Sequence, residues 1–370
     1  MKNQLLKPFK CYLQLSVLLM LAMFGFNNNA LAQALTGVKT IPGTYASLTA
    51  AIADLNANGV GTGGVTFNIS AGYTETLTAP LVVTATGTIS NPITFQKSGS
   101  GANPLITSFT GAQLASSTTS IDIMWAFVGS DYVTINQIDL VEAAANTTPT
   151  TQMEVGYGFY RATATDGANN NTVQNCTITL NRNNNTASSG PRSNATGSVG
   201  IEVMACTPTA VGTTISATSV AGANSNNKFY GNTIQNVNFG IALGGFAAAS
   251  PYTLADLNND IGGNSLATGN NIINFGGGSG ATTQCGAVFI HNQWSFNISY
   301  NTINNNNGAG VNHPVTNRGI WLFASSVGAS CNINNNKVTI NGGATKETVQ
   351  FNGLTNASQH VFRLVGAKWI

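Results

Sequence analysis

The sequence predicts an all-β solenoid in which short parallel strands stack as successive turns, a parallel β-helix. Six segments share the pattern apolar, two variable residues, usually Asn, one variable residue, apolar. Repeats with a period of about 20 to 50 residues are typical of solenoids. The fourth residues of the six segments are Asn136, Cys176, Asn232, Asn270, Asn301 and Asn336, with steps of 40, 56, 38, 31 and 35 residues.

A second motif, a glycine followed by alternating apolar residues, recurs in step with the first. It begins at Gly156, Gly200, Gly240, Gly286 and Gly319. Strands this short cannot bury an apolar face alone, so we expect each to stack about 4.8 Å from its equivalent in the next turn. We expect the asparagines to adopt left-handed backbone or to form hydrogen-bonded ladders, and the glycines to need positive φ. The side chains expected to point inward are Ile201, Val203, Ile241, Leu243, Ile320 and Leu322.

Two other interpretations account for part of this pattern. The Asn-rich runs 169–171, 183–185 and 304–307 resemble disordered low-complexity sequence. We expect such disorder in the loops only. A β-propeller has a similar period, but its blades need four strands joined by hairpins. We expect the long polar segments 146–152, 186–198, 207–227 and 247–265 to project as loops.

The N-terminal segment 1–32 has the features of a signal peptide. Three lysines precede an apolar stretch, and Ala30-Leu-Ala32 fits a cleavage site. We therefore expect a secreted or cell-surface protein whose β-helix domain spans 33–370, with no membrane-spanning helix after cleavage. A capping helix is predicted over 44–58, with Ser47 or Thr49 as its N-cap, followed by strands at 65–69, 81–83 and 93–95.

Charge and cysteine content narrow the function classes. After the three lysines of the leader are removed, 11 basic and 12 acidic residues remain. This balance excludes the basic footprint of a nucleic-acid-binding protein, and a surface rich in Asn, Thr, Ser and Gly suits neutral partners such as glycans. An exported protein can form disulfide bonds, so the four remaining cysteines could be paired; the alternative is that they are buried free thiols. The cysteines concerned are Cys176, Cys206, Cys285 and Cys331.

The N-terminal helix, the phrase Asn91-Pro-Ile-Thr-Phe95 and the Asn-x-Ile turns resemble the right-handed parallel β-helix, pectate-lyase-like superfamily. The likeness is greatest to large exported surface proteins with parallel β-helix repeats. That resemblance implies the fold, and it says little about activity. The catalytic motifs of polygalacturonases and the carboxylate cluster of pectate lyases are not found in the sequence. Gly72-Tyr73-Thr-Glu75 is similar to a segment of pectin methylesterases, and we interpret it as part of the first coil.

Candidate site residues come from the outward positions of the glycine-marked strands. One outward column would hold Gly158, Glu202, Ala242, Val288 and Trp321, and a second would hold Arg161, Ala205, Gly245, His291 and Ala324. An acid, a base and an aromatic ring on one face could bind and cleave sugar. The weak catalytic candidates are Glu202, Arg161 and His291, and the ligand-binding candidates are Trp321, Trp294 and Arg318.

Asp256-Leu-Asn258-Asn-Asp260 is a weak candidate for a calcium loop, although Ile261 occupies the position where an EF-hand needs glycine. The leading functional hypothesis is a non-catalytic, exported adhesion or carbohydrate-binding module. The alternatives are a polysaccharide lyase or glycoside hydrolase, and a passive stalk. Because 361–370 is apolar, we also expect the chain to be part of a longer exported protein.

Overall fold

The computed structural model describes residues 33–114, 116–182, 197–277, 283–305, 313–324, 329–340 and 346–351. The predicted signal peptide, most of the predicted loop 186–198 and the apolar segment 361–370 lie outside these ranges.

Helix α1 spans Leu48–Asn58 and begins later than the predicted 44–58. Ser47 is its N-cap, as predicted, and accepts a hydrogen bond from the backbone N–H of Ala50 at 3.1 Å. The Glu75 carboxylate accepts from the N–H of Leu48 at 2.7 Å and of Thr49 at 3.2 Å, so it satisfies two further free donors of the first turn. Tyr73 donates to Glu75 at 2.7 Å, which confirms that this pair belongs to the first coil.

The described residues form 27 strands. The first nine are β1 (Leu35–Ile41), β2 (Val60–Ser70), β3 (Thr74–Thr76), β4 (Leu81–Val83), β5 (Ile93–Ser98), β6 (Leu105–Thr107), β7 (Ile123–Val128), β8 (Val133–Asn136) and β9 (Asp139–Val141). The next nine are β10 (Val155–Tyr160), β11 (Thr172–Gln174), β12 (Thr177–Thr179), β13 (Val199–Met204), β14 (Lys228–Tyr230), β15 (Thr233–Gln235), β16 (Phe239–Gly244), β17 (Asp256–Leu257) and β18 (Asp260–Ile261). The last nine are β19 (Asn271–Ile273), β20 (Cys285–His291), β21 (Gln293–Trp294), β22 (Phe296–Ser299), β23 (Thr302–Asn304), β24 (Asn317–Ala324), β25 (Cys331–Asn334), β26 (Lys337–Thr339) and β27 (Lys346–Phe351).

These strands stack in three parallel sheets, which confirms the predicted β-helix. The first sheet has the order β1-β2-β5-β8-β11-β14-β18-β22-β25, the second β4-β7-β10-β13-β16-β20-β24-β27, and the third β3-β6-β9-β12-β15-β19-β23-β26. Neighbours within each sheet come from successive turns of the chain, so from β2 onward each turn contributes one strand to each sheet, and β1 extends the first sheet by one strand. Strands β17 and β21 form a separate parallel pair.

The core inside the three sheets is dry and apolar. Ile201, Ile241 and Ile320 are fully buried and lie in register on adjacent strands with Val288 between them, as predicted. Aromatic rings fill the earlier turns, where Phe67 stacks on Phe95 with centroids 4.6 Å apart and Phe127 stacks on Phe159 at 4.7 Å. Helix α1 adds Leu48, Ile52 and Leu55 to the same core. Burial of these columns is the main stabilising term of the fold.

The predicted asparagine ladder is present at the corner between the first and third sheets. Asn232 donates from Nδ2 to Oδ1 of Asn270 at 3.1 Å, Asn270 to Asn301 at 2.9 Å, and Asn301 to Asn336 at 2.9 Å. The left-handed backbone lies on the preceding residue instead, for example at Asn175, Tyr300 and Asn335. Asn136 is not in the ladder, because it pairs with Gln174.

A second ladder lies between the second and first sheets, and its members come from the Asn-rich run 169–171 and from segments 207–227 and 247–265, all of which were expected to be loops. Oδ1 of Asn227 accepts from the N–H of Asn171 at 3.0 Å, and Oδ1 of Asn259 accepts from the N–H of Asn227 at 2.9 Å. All three side chains are buried. Buried amides of this kind are stable because each donor and acceptor has a partner.

The glycine column has a different cause from the predicted one, since positive φ is not found at Gly156, Gly200 or Gly240. A Cβ on Gly200 would lie 2.3 Å from Cγ2 of Ile234, and one on Gly240 would lie 2.5 Å from Cγ2 of Ile272. The glycines therefore allow the second sheet to approach the isoleucines of the third sheet. Gly286 lies one position out of this column, in register with Phe239.

The four cysteines 176, 206, 285 and 331 are free thiols, which decides the open question in favour of reduced side chains. Burial raises the pKa of the Cys176 thiol to about 12 and that of Cys331 to about 11. Across the described part of the chain, no helix combines the length and apolar character needed to span a membrane.

Candidate functional site

The predicted outward column is correct in register except at one position. Gly158, Glu202, Ala242 and Trp321 lie in one column, in which Phe289 takes the place predicted for Val288. His291 is in register with Gly244 and Met204, so it lies one column away from Arg161.

The prediction that this face is open to solvent is wrong. Glu202 and Arg161 are fully buried, and Trp321 is 3 % exposed. A second apolar cluster covers the outer side of the second sheet, and it includes Tyr160, Met204 and Val211. Val211 comes from segment 207–227, which was expected to project as a loop and instead packs over the sheet. Tyr160 donates to Glu202 at 2.9 Å beneath this layer.

Arg161 and Asp256 form an ion pair under the same covering layer, with 2.5 Å between Nη2 and Oδ1. Both side chains are fully buried. Arg161 also donates to the carbonyl of Ile215 and lies over the ring of Phe246, 4.9 Å from its centroid. The pair therefore fixes the covering segments to the sheet, and this arrangement leaves Arg161 without access to a substrate.

Glu142, which follows strand β9 of the third sheet, is a further buried acid and is 4 % exposed. Its carboxylate accepts from the N–H of Met153 at 2.6 Å and from the N–H of Asn181 at 2.5 Å. Burial nevertheless raises the pKa of Glu142 to about 7. Both of its oxygens accept from backbone N–H groups, so we assign Glu142 a structural role.

The two candidate tryptophans have ring faces occupied by the protein itself. The Arg318 guanidinium lies 4.2 Å from the centroid of Trp321. Tyr252 stacks on Trp294 with centroids 4.2 Å apart. Sugar stacking on either ring would first have to displace these contacts. His291 is only partly covered, between the rings of Phe289 and Phe323, and burial lowers its pKa.

The three candidate calcium ligands point to different partners. Asp256 pairs with Arg161, Asn258 donates to Asn226 at 3.3 Å, and Asp260 accepts from Tyr230 at 2.6 Å. Asp260 lies on a strand of the first sheet, although its segment was expected to form a loop. The predicted calcium loop is therefore not formed.

The structure places an open groove elsewhere, on the outer face of the first sheet. It has a volume of about 600 Å³ and lies over the last four strands of that sheet, β14, β18, β22 and β25. Apart from Gly263, the residues that line it have polar or aromatic side chains: Tyr230, Asp260, Asn264, Thr268, Asn297, Ser299, Tyr300, Asn332, Asn334 and Asn335. We call it the amide groove.

A chain of hydrogen bonds runs along the floor of the amide groove and ends at Asp260. Nδ2 of Asn334 donates to Asn332 at 2.8 Å, Asn332 donates to Asn297 at 2.8 Å, and Asn297 donates to Asp260 at 2.6 Å. Each amide thus accepts on its oxygen and donates from its nitrogen in one direction. Asn332 and Asn334 use one of their two N–H groups in this chain, so both offer hydrogen-bonding capacity to a ligand.

Two tyrosines flank this polar floor. The Tyr230 hydroxyl donates to Oδ2 of Asp260 at 2.6 Å, and burial together with this bond raises its pKa. Tyr300 is half-buried and holds a left-handed backbone conformation with φ of 61°. A polar floor between aromatic side chains can bind hydroxyl groups and apolar sugar faces at the same time.

The sequence analysis missed the amide groove, although a signal was present. In β14, β22 and β25, polar residues at i and i+2 flank one inward apolar residue, as in Asn297-Ile298-Ser299 and Asn332-Ile333-Asn334. The glycine-marked strands, which supplied most of the predicted site residues, belong to the second sheet, whose outer face is covered.

No protein-family model matches the chain, and no curated protein matches it. Among solved structures, it is similar to an alginate lyase from Paenibacillus sp. str. FPU-7, with a TM-score of 0.45 and 11 % identity over 85 % of this chain and 99 % of that one. It is also similar to the GH136 lacto-N-biosidase from Eubacterium ramulus. The selenomethionine derivative gives a TM-score of 0.38 at 11 % identity and the native protein 0.40 at 9 %, each over 85 % of this chain and 64 % of that one.

Proposed function

We propose that the amide groove binds a carbohydrate chain without cleaving it, and that the protein acts as an exported glycan-binding module. The observation that carries the proposal is the open row of Asn332, Asn334 and Asn297 beside Tyr230 and Tyr300. Side-chain amides match sugar hydroxyls as both donors and acceptors, and tyrosine rings pack against sugar faces.

The composition of the groove argues against hydrolysis. Glycosidases use a pair of carboxyl groups, whereas Asp260 is the one carboxylate among the residues that line the amide groove. The raised pKa of Tyr230 makes it a poor base near neutral pH, which argues against its use as the base of a lyase.

The test is retention of protein 33–370 on a panel of immobilised polysaccharides. Asn332→Ala/Asn334→Ala should abolish retention, because it removes the exposed amides of the groove. Asn68→Ala/Gln96→Ala is the matched control, since this hydrogen-bonded pair lies on the same sheet outside the groove. Loss of retention in the control and not in the groove variant would overturn the proposal.

The same incubations distinguish binding from turnover. We expect intact polymer after incubation. Unsaturated products absorbing in the ultraviolet would identify a lyase, and new reducing ends alone would identify a hydrolase.

Export is proposed from residues 1–32, and a secreted protein whose N-terminus is Gln33 would support it.

A further inference from the structure

We propose that the amide groove selects uncharged polysaccharides and rejects polymers of uronic acids. This inference rests on the proposed function and specifies the class of glycan. It follows from the charges that line the groove, from the way Asp260 is held, and from the free capacity of the asparagines.

The charge at the groove is negative. Among its lining residues, Asp260 is the one with a formal charge, and none is Lys, Arg or His. Proteins bind carboxylates and phosphates chiefly through arginine forks or lysine ammonium groups. Lys228 is in register with Asp260 on the preceding strand, but it does not line the groove.

Asp260 is held in place by three donors within the groove. They are the Tyr230 hydroxyl at 2.6 Å, Nδ2 of Asn297 at 2.6 Å and the N–H of Gly263 at 3.0 Å. These bonds fix the position of the carboxylate, so it cannot turn away from an approaching anion. A uronate carboxylate placed over the groove would meet a like charge in partly desolvated surroundings, and such contacts disfavour the wrong partner.

The asparagines complete the argument. The remaining N–H groups of Asn332 and Asn334 and the spare lone pairs of their oxygens can pair with neutral hydroxyl or acetamido groups. Neutral sugars carry several such groups on each ring, so they can satisfy the groove without bringing in charge. The chemistry of the groove therefore favours the uncharged form of a given polymer.

The experiment uses matched polymers that differ only in charge. Polygalacturonate, alginate and hyaluronate are each compared with their carboxyl-reduced forms by affinity electrophoresis of protein 33–370. We expect at least one reduced polymer to bind about tenfold or more tightly than its uronate parent. The difference in affinity between each reduced polymer and its uronate parent should narrow as the salt concentration rises from about 0.05 M to about 0.5 M. Salt screens the repulsion between Asp260 and the uronate carboxylates.

The variant Asp260→Asn sharpens the test, since it removes the charge and keeps the size of the side chain. It should reduce the ratio between the affinity for each carboxyl-reduced polymer and the affinity for its uronate parent, both measured with the same variant. Equal or tighter binding of the uronate parents by the wild-type protein would overturn this inference while leaving glycan binding intact. Failure of all six polymers to bind would overturn the proposed function as well.

Discussion

The outer faces of the first and second sheets follow the same sequence rule and have opposite fates. In both, alternate residues point away from the core, and both carry acids and aromatic side chains. On the second sheet, Glu202 and Arg161 are sealed beneath the covering segments, and each has partners within the protein. On the first sheet, Asp260 and Asn332 line an open groove. The direction in which a side chain points does not establish that it is accessible.

The largest effect should come from breaking the ion pair under the covering layer. Asp256→Ala leaves the Arg161 guanidinium buried without its counterion, and we expect a loss of about 3 to 5 kcal/mol in the free energy of unfolding. Denaturant titration measures it. The double variant Arg161→Met/Asp256→Leu should recover most of that loss, because apolar side chains suit a dry site. A loss below about 1 kcal/mol for Asp256→Ala would show that water reaches this region, as it reaches the amide groove.

The next effect concerns the pH dependence of stability that the buried carboxyl group of Glu142 contributes. The pKa of Glu142 is raised to about 7 from 4.5, so the folded protein keeps a proton that the unfolded chain releases. The contribution of Glu142 is therefore largest below pH 4.5, and it falls by at most about 3 kcal/mol as pH rises through 7.

The measurement is the difference in unfolding free energy between the wild type and Glu142→Gln at several pH values. This difference isolates Glu142 from the other titrating groups, including His291 and His313, whose lowered pKa values act in the opposite direction below pH 6.5. We expect the difference in unfolding free energy between the wild type and Glu142→Gln to decrease as pH rises from about 5 to about 8. A difference that does not change over this interval would contradict the assignment of Glu142 to a dry environment.

A smaller effect should follow removal of one ladder amide. Asn270→Ala deletes the acceptor of the Asn232 N–H and the donor to the Phe229 carbonyl, leaving buried polar groups unpaired. We expect a loss of about 2 kcal/mol in the free energy of unfolding, measured by denaturant titration. Asn270→Asp keeps the acceptor for Asn232 and loses the donor to Phe229, so it should not restore the wild-type free energy of unfolding.

The smallest effect on stability should come from the open face. Asn334→Ala removes a side chain whose surroundings are solvated, so we expect a change of less than about 0.5 kcal/mol in unfolding free energy. Glycan retention should weaken in the same variant. If stability fell as much as in Asn270→Ala, the comparison between a buried ladder and an open groove would fail.

Much of the interior was predictable from local pattern. The alternation around Ile201, Ile241 and Ile320 identified core columns, because a period of two is a property of a strand and needs no knowledge of the rest of the chain. Register was less certain. Asn136 and Ile138 both fit the repeat, and only the neighbouring strand shows that Asn136 pairs with Gln174.

The site was not predictable to the same degree, because accessibility depends on distant segments. Glu202 looks exposed from its own strand, and it is buried because Val211 and its neighbours return over the sheet. Asp260 looks like part of a polar loop, and it becomes a strand residue only because Asp260–Ile261 pairs with β14 and β22. Both errors concern contacts between residues far apart in sequence.

The asparagine ladder between the first and third sheets has a consequence for how this protein can change its length. Each asparagine donates its backbone N–H to Oδ1 of the next one, from Asn232 through Asn270 and Asn301 to Asn336. These bonds are alike at every step, so none is specific to one neighbour. Excising residues 270–300 would let Asn232 meet Asn301 through identical contacts, while each sheet would shorten by one strand. The excised segment contains Asn297, Ser299 and Tyr300, so the groove would lose three of its eleven lining residues. For this turn, the hydrogen bonds that stack the scaffold and the residues that line the groove are therefore separate requirements.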